Sequence, residues 1–274
     1  MKLTGLLRRT KAPRVGLALA AGGAKGVAYV PFLAALERMN VEISAIAGSS
    51  IGALVGGLYA SGRTPSEMIA ILETFRPSQL HRFFRINWFG TGLISGESVR
   101  DFLDRNLAVK TFEEARIPFT AVATDYWRRE QVVFRNGSLC DAILASTAVP
   151  AILEPARVGG RVLIDGAVTN PLPYELIRDQ CDILVGLDTS NRTVDPDRND
   201  VPGTPLLVLN TFRILTDCLT DSKRLSEPID LYFRLSLPTV EMLDFHKYRE
   251  VFDAIRPEVE RFTAALEQVV RSRT

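Results

Sequence analysis

The chain has 274 residues, 46% of them apolar, with a formal net charge of +1 and a mean hydropathy near zero. That length suffices for one large domain or two small ones with a sizeable core. The balanced charge removes any bulk electrostatic argument for nucleic acid, so no nucleic-acid partner is expected.

Cys140, Cys181 and Cys218 lack metal-ligand spacing and read as reduced core residues. No metal and no organic cofactor is expected. Met1 to Arg14 carries Arg8, Arg9, Lys11 and Arg14 but no apolar core of about 7–15 residues, so it does not read as a secretory signal. No run reaches the roughly 18 apolar residues that span a bilayer. The expectation is a cytoplasmic protein, peripheral at most to the inner membrane, with its oligomeric state open.

In chain order, Val15 to Ala20 is an apolar strand that runs into Ala21-Gly22-Gly23-Ala24-Lys25-Gly26. A helix is expected from about Val27 to Met39, with Pro31 early in it. Ile43 to Ala47 is a second strand, followed by Gly48-Ser49-Ser50-Ile51-Gly52 and an apolar helix from Ala53 to Ala60. This β-loop-α-β-turn-α order implies a parallel sheet covered by helices. Thr64-Pro65-Ser66-Glu67 is a capping box with proline at the first helical position.

Pro77 to Ser95 mixes His81, Arg82, Phe83, Phe84, Arg85, Trp88 and Phe89 without a clean period. It reads either as a mobile lid or lipid-contacting edge, or as a partly buried connection. Glu97 to Leu107 is an amphipathic helix. Ile117 to Thr124 and Gln131 to Arg135 are two strands of a hairpin, and Ser138 caps a helix to Ser146. Ala156 to Val158, Gly159-Gly160 and Arg161 to Ile164 form a second hairpin ending on Asp165-Gly166-Ala167. A short helix at Tyr174 to Gln180 and a buried strand at Cys181 to Leu187 follow. Asn191 to Gly203 is an exposed loop. Helix dominates from Pro205 to Leu225, a strand runs from Ile229 to Leu235, and helices are expected from about Glu241 and from Pro257 to Arg271. No repeat and no linker is evident, so a single domain over 1–274 is expected. Its C-terminal helical part, about 205–274, packs on the portion that carries the motifs.

The chemistry concentrates at Ser50. Gly-x-Ser-x-Gly between a strand and a helix puts a serine hydroxyl at the tip of a strained turn. Gly48 and Gly52 are expected there because a Cβ at either would strike the neighbouring strand or helix. A serine nucleophile needs a base. The chain has two histidines, His81 and His246, and Ser50, Asp165 and His246 follow the Ser…Asp…His order of α/β-hydrolases. Asp165 is the stronger partner, because it ends an apolar strand and is followed by small residues that leave room beside it. Gly22, Gly23 and Gly26 allow backbone N–H groups to converge at a helix N-terminus, a nest for an oxyanion or a phosphate. The same stretch departs from both phosphate-loop and dinucleotide fingerprints, since Val27 follows Gly26 and Ala21 stands at the first glycine position.

Four segments together resemble the patatin-like phospholipases of bacteria: Ala21-Gly22-Gly23-Ala24-Lys25-Gly26, Gly48-Ser49-Ser50-Ile51-Gly52, Ala145-Ser146-Thr147-Ala148-Val149-Pro150 and Asp165-Gly166-Ala167. The resemblance runs over about Val15 to Pro173. It implies an α/β fold, a three-layer α/β/α sandwich with a mainly parallel central sheet. It also implies a Ser50–Asp165 dyad, with Gly22, Gly23, Ala24 and Lys25 lining the oxyanion hole and Gly26, Gly48, Gly52 and Gly166 supporting the motifs. Ala21 and Lys25 depart from the family's more frequent glycine and arginine. The implied activity is serine acyl hydrolysis of phospholipid or lysophospholipid esters, with membrane-surface contact through Arg82, Phe83, Phe84, Trp88 and Phe89. A catalytically weak scaffold and a nucleotide-binding α/β protein stand as the alternatives.

Overall fold

The computed structural model describes residues 12–74, 92–190, 201–237, 240 and 243–273. His81, Arg82, Phe83, Phe84, Trp88 and Phe89 lie outside the described residues, as does most of the loop expected at Asn191 to Gly203.

Strand β1 (Val15–Leu19) leads through a 3₁₀ turn at Gly23–Ala28 into helix α1 (Tyr29–Arg38). The expected helix from Val27 is therefore corrected: the glycine loop itself winds as 3₁₀, and α-helix starts at Tyr29. Pro31 falls in the first α-helical turn, where backbone N–H groups have no intrahelical partner and a proline is tolerated. Strand β2 (Ile43–Ser49) and helix α2 (Ile51–Ser61) flank Ser50. Helix α3 (Pro65–Glu73) carries the full capping box, with Thr64 and Glu67 each bonding the other's backbone N–H.

Short β3 (Gly92–Ile94) pairs in parallel with β6 (Ala151–Leu153) as a separate ribbon. Helix α4 (Gly96–Asn106), strands β4 (Phe119–Asp125) and β5 (Glu130–Phe134), and helix α5 (Leu139–Ser146) follow. Strands β7 (Ala156–Val158) and β8 (Arg161–Asp165) form the second hairpin. Its turn residues Gly159 and Gly160 both have positive φ, 57° and 76°, which a tight hairpin turn of this hand requires. The chain then passes through 3₁₀ segments at Gly166–Val168 and Tyr174–Gln180 into β9 (Ile183–Asp188), helix α6 (Thr204–Ser226) and β10 (Leu231–Arg234). Glu241, about which a helix was expected to begin, lies outside the described residues; a 3₁₀ turn at Phe245–Lys247 leads into helix α7 (Tyr248–Ala254). Helix α8 (Arg256–Arg273) ends the described chain.

The main sheet runs β10-β9-β1-β2-β4-β8-β7, with β5 also paired to β4. β10, β9, β1, β2 and β4 are mutually parallel, while β5 and β8 run antiparallel to β4. The two faces of the sheet differ in side-chain size. Val15, Leu17, Leu19, Ile46 and Val185 pack into the large core built with α1, α2, α5 and α8. Ala18, Ala20, Ala45 and Ala47 turn to the other face, where small side chains let the 3₁₀ segment with Tyr174 and Ile177 lie close. Helix α6 completes that layer: Lys223 Nζ donates to Asn170 Oδ1 and to Leu172 O, each at 2.9 Å. Among the described residues no helix is long and apolar enough to cross a membrane.

The pairing around β4 decides where the chemistry sits. Residues 123–125 of β4 pair with both β5 and β8, so those two strands occupy opposite edges. Residues 121–122 pair with both β5 and β2, so β2 shares its edge with β8. On that edge β2 runs up to Ser49, opposite Val122, and β8 runs down to Asp165, opposite Ala123. Two strands thus end head to head on consecutive residues of β4.

Candidate active site

Ser50 follows β2 with φ 55° and ψ −124°, a backbone conformation rarely populated by residues other than glycine. The surroundings hold it there. A Cβ on Gly48 would lie 2.4 Å from Gly52 O, and one on Gly52 would lie 2.1 Å from Leu19 O. Both glycines therefore let α2 approach β1 and β2 at backbone contact, as the sequence implied.

Ser50 Oγ donates to Asp165 Oδ2 at 2.5 Å, across 115 residues of chain. Asp165 is fully buried, and its other oxygen, Oδ1, accepts from Ala167 N–H at 2.8 Å. Burial pushes the Asp165 carboxyl up from 3.8 to about 7, against the lowering effect of the bonds from Ser50 and Ala167. Gly166 leaves room at this crossing, since a Cβ there would sit 2.1 Å from Val122 O.

The segment from Ala145 to Pro150 had no residue-level role in the sequence reading. In the fold it is a bracket. Ser146 Oγ accepts from Ser50 N–H at 3.0 Å, and Ala148 O accepts from Asp165 N–H at 2.9 Å. One short stretch after α5 therefore fixes the backbone of both residues. Ser146 is fully buried at the C-terminal end of α5, and a polar residue closing the apolar run Ala142 to Ala145 was its one signal in the sequence. Neighbouring Ser49 has a buried Oγ with no hydrogen-bond partner among the described residues.

The glycine loop reaches Ser50 from the β1 side. Gly23 has φ 61°, which turns the chain into the 3₁₀ segment. Tyr29, fully buried, donates its hydroxyl to Ala20 O at 2.9 Å and bonds Thr189 Oγ1 at 3.2 Å, bracing the loop from below. Gly26 lies against α2, where a Cβ would sit 2.4 Å from Ile51 Cγ1. Ala24 is fully buried and Lys25 nearly so.

Two cavities meet at Gly23, Ser50 and Val149. One, about 180 Å³, is walled almost entirely by apolar side chains, among them Val30, Leu54, Leu58, Met68, Phe102 and Phe245. The other, about 310 Å³, is the more polar of the two, its wall mixing Lys25, Ser190, Asn210, Arg213 and Asp217 with Val149, Phe212 and Ile214. The apolar one offers a trough for a hydrocarbon chain, and the polar one space for the rest of an ester.

His246 does not join this constellation. It lies in the 3₁₀ turn at Phe245–Lys247, with Nδ1 buried and, among the described residues, without a hydrogen-bond partner. Among the described residues no hydrogen bond links it to Ser50 or Asp165. Cys218, expected in the core, is exposed on α6, while Cys140 and Cys181 are buried as anticipated.

A family model described as Patatin-like phospholipase matches residues 17–177. An uncharacterized NTE family protein of Mycobacterium tuberculosis is 33% identical over 216 residues, 78% of this chain and 60% of that protein. Lysophospholipase NTE1 of Cryptococcus neoformans is 28% identical over 177 residues, 64% of this chain but 11% of the fungal protein. The chain thus spans less than two thirds of the length of these relatives. Among solved structures, VipD from Legionella pneumophila superposes with a TM-score of 0.56 over 92% of this chain and 67% of its own, at 13% identity. That likeness concerns the fold. With the family model covering more than half of its length, this chain belongs to the patatin-like phospholipase family.

Proposed function

We propose that this protein is a serine acyl hydrolase acting on the fatty-acyl esters of phospholipids or lysophospholipids, with Ser50 as nucleophile and Asp165 as its base. The observation that carries the reading is the 2.5 Å bond from Ser50 Oγ to a buried Asp165 carboxylate, placed where an apolar and a polar cavity meet. Ser50 Oγ attacks the ester carbonyl and its proton passes to Asp165 Oδ2. Backbone N–H groups of the loop at Gly22, Gly23, Ala24 and Lys25 receive the developing oxyanion. The tetrahedral intermediate collapses, the alcohol leaves with the proton from Asp165, and the acyl chain remains on Ser50 in the apolar cavity. Water, deprotonated by Asp165, then attacks the acyl carbonyl. Collapse of the second intermediate returns the proton to Ser50 and frees the fatty acid. The lipid class is supported by the family and by the lysophospholipase among its relatives.

The test is labelling by a fluorescent fluorophosphonate together with fatty-acid release from mixed phospholipids. Wild type labels and hydrolyses; Ser50→Ala loses both, and Asp165→Asn loses hydrolysis by about 10³-fold or more. A folded wild type that neither labels nor cleaves any ester would sink the hydrolase reading in favour of a scaffold role.

A further inference from the structure

Helix α6 presents its apolar side to solvent. Its large apolar side chains include Leu207, Val208, Ile214, Leu215, Leu219 and Leu225, exposed by 48%, 58%, 62%, 59%, 42% and 91%. At 3.6 residues per turn these six fall within roughly 140° of the helix circumference, along a helix roughly 34 Å long. Thr211, Cys218 and Ser222 fill the middle of the same face, all of them exposed and uncharged. The acidic residues of the helix point elsewhere: Asp217 bounds the polar cavity and Asp221 accepts from Arg234 at 2.6 Å. Among the exposed residues of α6 the one formal charge is Arg224, which lies away from the stripe with its guanidinium 3.5 Å over the Tyr232 ring. An ordinary surface helix buries its apolar stripe and shows its charges; α6 does the reverse.

We propose that this face of α6 is the surface by which the protein seats itself on a lipid layer. The choice of lipid as occupant rests on the hydrolase reading above. Three observations support it. The stripe is continuous with the site: Ile214 is both 62% exposed and part of the wall of the polar cavity that reaches Ser50. A layer lying against the stripe places its head groups at that cavity mouth, within reach of the substrate path. The charge pattern suits such a layer, since the stripe carries no formal charge that contact with lipid would desolvate. Its width is the third point: a face of roughly 140° exceeds the narrow two-position seam of a coiled coil and fits a helix lying in the plane of an interface.

The experiment is sedimentation with phosphatidylcholine vesicles. It uses full-length Ser50→Ala protein, so that the vesicles are not consumed. Adding Leu215→Glu and Leu219→Glu reduces the vesicle-bound fraction at least about tenfold. With Ser50 intact, the same pair of substitutions leaves turnover of a soluble short-chain nitrophenyl ester within about twofold, while hydrolysis of vesicle lipid falls by about tenfold or more. Binding that is absent in the parent, or unchanged by the two glutamates, overturns the proposal. So does light scattering that shows a dimer converted to monomer by the glutamates while vesicle binding persists, because a second copy would then cover the stripe. Vesicle binding that is intact alongside no hydrolysis of any ester by the protein with Ser50 would instead count against the hydrolase reading alone.

Discussion

At the residue scale the proposed dyad turns on Asp165. In that proposal the base must be ionised to accept the Ser50 proton, and burial places its carboxyl near 7. kcat/KM for a soluble ester is therefore expected to fall about tenfold per pH unit below pH 7 and to level off above it; a profile flat down to pH 5 would contradict this. The same burial sets a stability trend. The unfolded chain titrates near 3.8 and the folded one near 7, so between these values the folded state holds the extra proton. Stability then declines as pH rises through that window, by up to the order of 4 kcal/mol. Asp165→Asn removes the buried charge and is expected to melt higher than wild type at pH 8, with the difference shrinking toward pH 4. An inactive variant that is the more stable protein would mark Asp165 as a group retained at a cost to the fold.

At the scale of elements, the turn between β2 and α2 stores strain that its neighbours impose. Holding Ser50 at φ 55° costs on the order of 1–3 kcal/mol. Gly52→Ala puts a methyl group 2.1 Å from Leu19 O and 2.7 Å from Ala20 O. The expected result is a loss of about 1–3 kcal/mol in denaturant unfolding and, through displacement of Ser50, about 100-fold in kcat/KM. The capping box on α3 offers a contrast, because α3 contributes a wall of the apolar cavity through Met68 but none of the bonds at Ser50. Thr64→Ala is expected to cost about 1 kcal/mol while leaving turnover of a short soluble ester close to wild type. Equal damage to activity from both substitutions would mean that the turn is no more constrained than the rest of the surface.

At the scale of the molecule, helices α7 and α8 share one core with the motif-bearing part. Phe262 of α8 is fully buried and meets Phe32 of α1 edge-on at 5.2 Å and Phe233 of β10 at 5.5 Å. We propose on this basis a single cooperative unit. Phe262→Ala is expected to cost about 3–5 kcal/mol and to shift one sharp transition. Two separated transitions, with esterase activity surviving the first, would instead divide the chain.

The sequence by itself determined the local pieces. The strand, turn and helix around Ser50, the Thr64 cap, the β7–β8 hairpin and the glycine loop are set by residues a few positions apart, and short-range backbone chemistry is written in adjacent side chains. Ser50 and Asp165 were legible as candidates because each stands where an apolar strand ends in small residues. Their meeting was not. It depends on β2 and β8 ending head to head on the same edge of β4, a matter of register across 115 residues that no local pattern carries. The bracket made by Ser146 and Ala148 and the two cavities arise from the same long-range packing. Helix α6 shows the limit most plainly. Its helical content was readable, but apolar periodicity says only that a helix has two faces. Which face the body of the protein takes follows from long-range contacts, Lys223 with Asn170 and Leu172, Asp221 with Arg234 and Arg224 over Tyr232, and these leave the leucines outside.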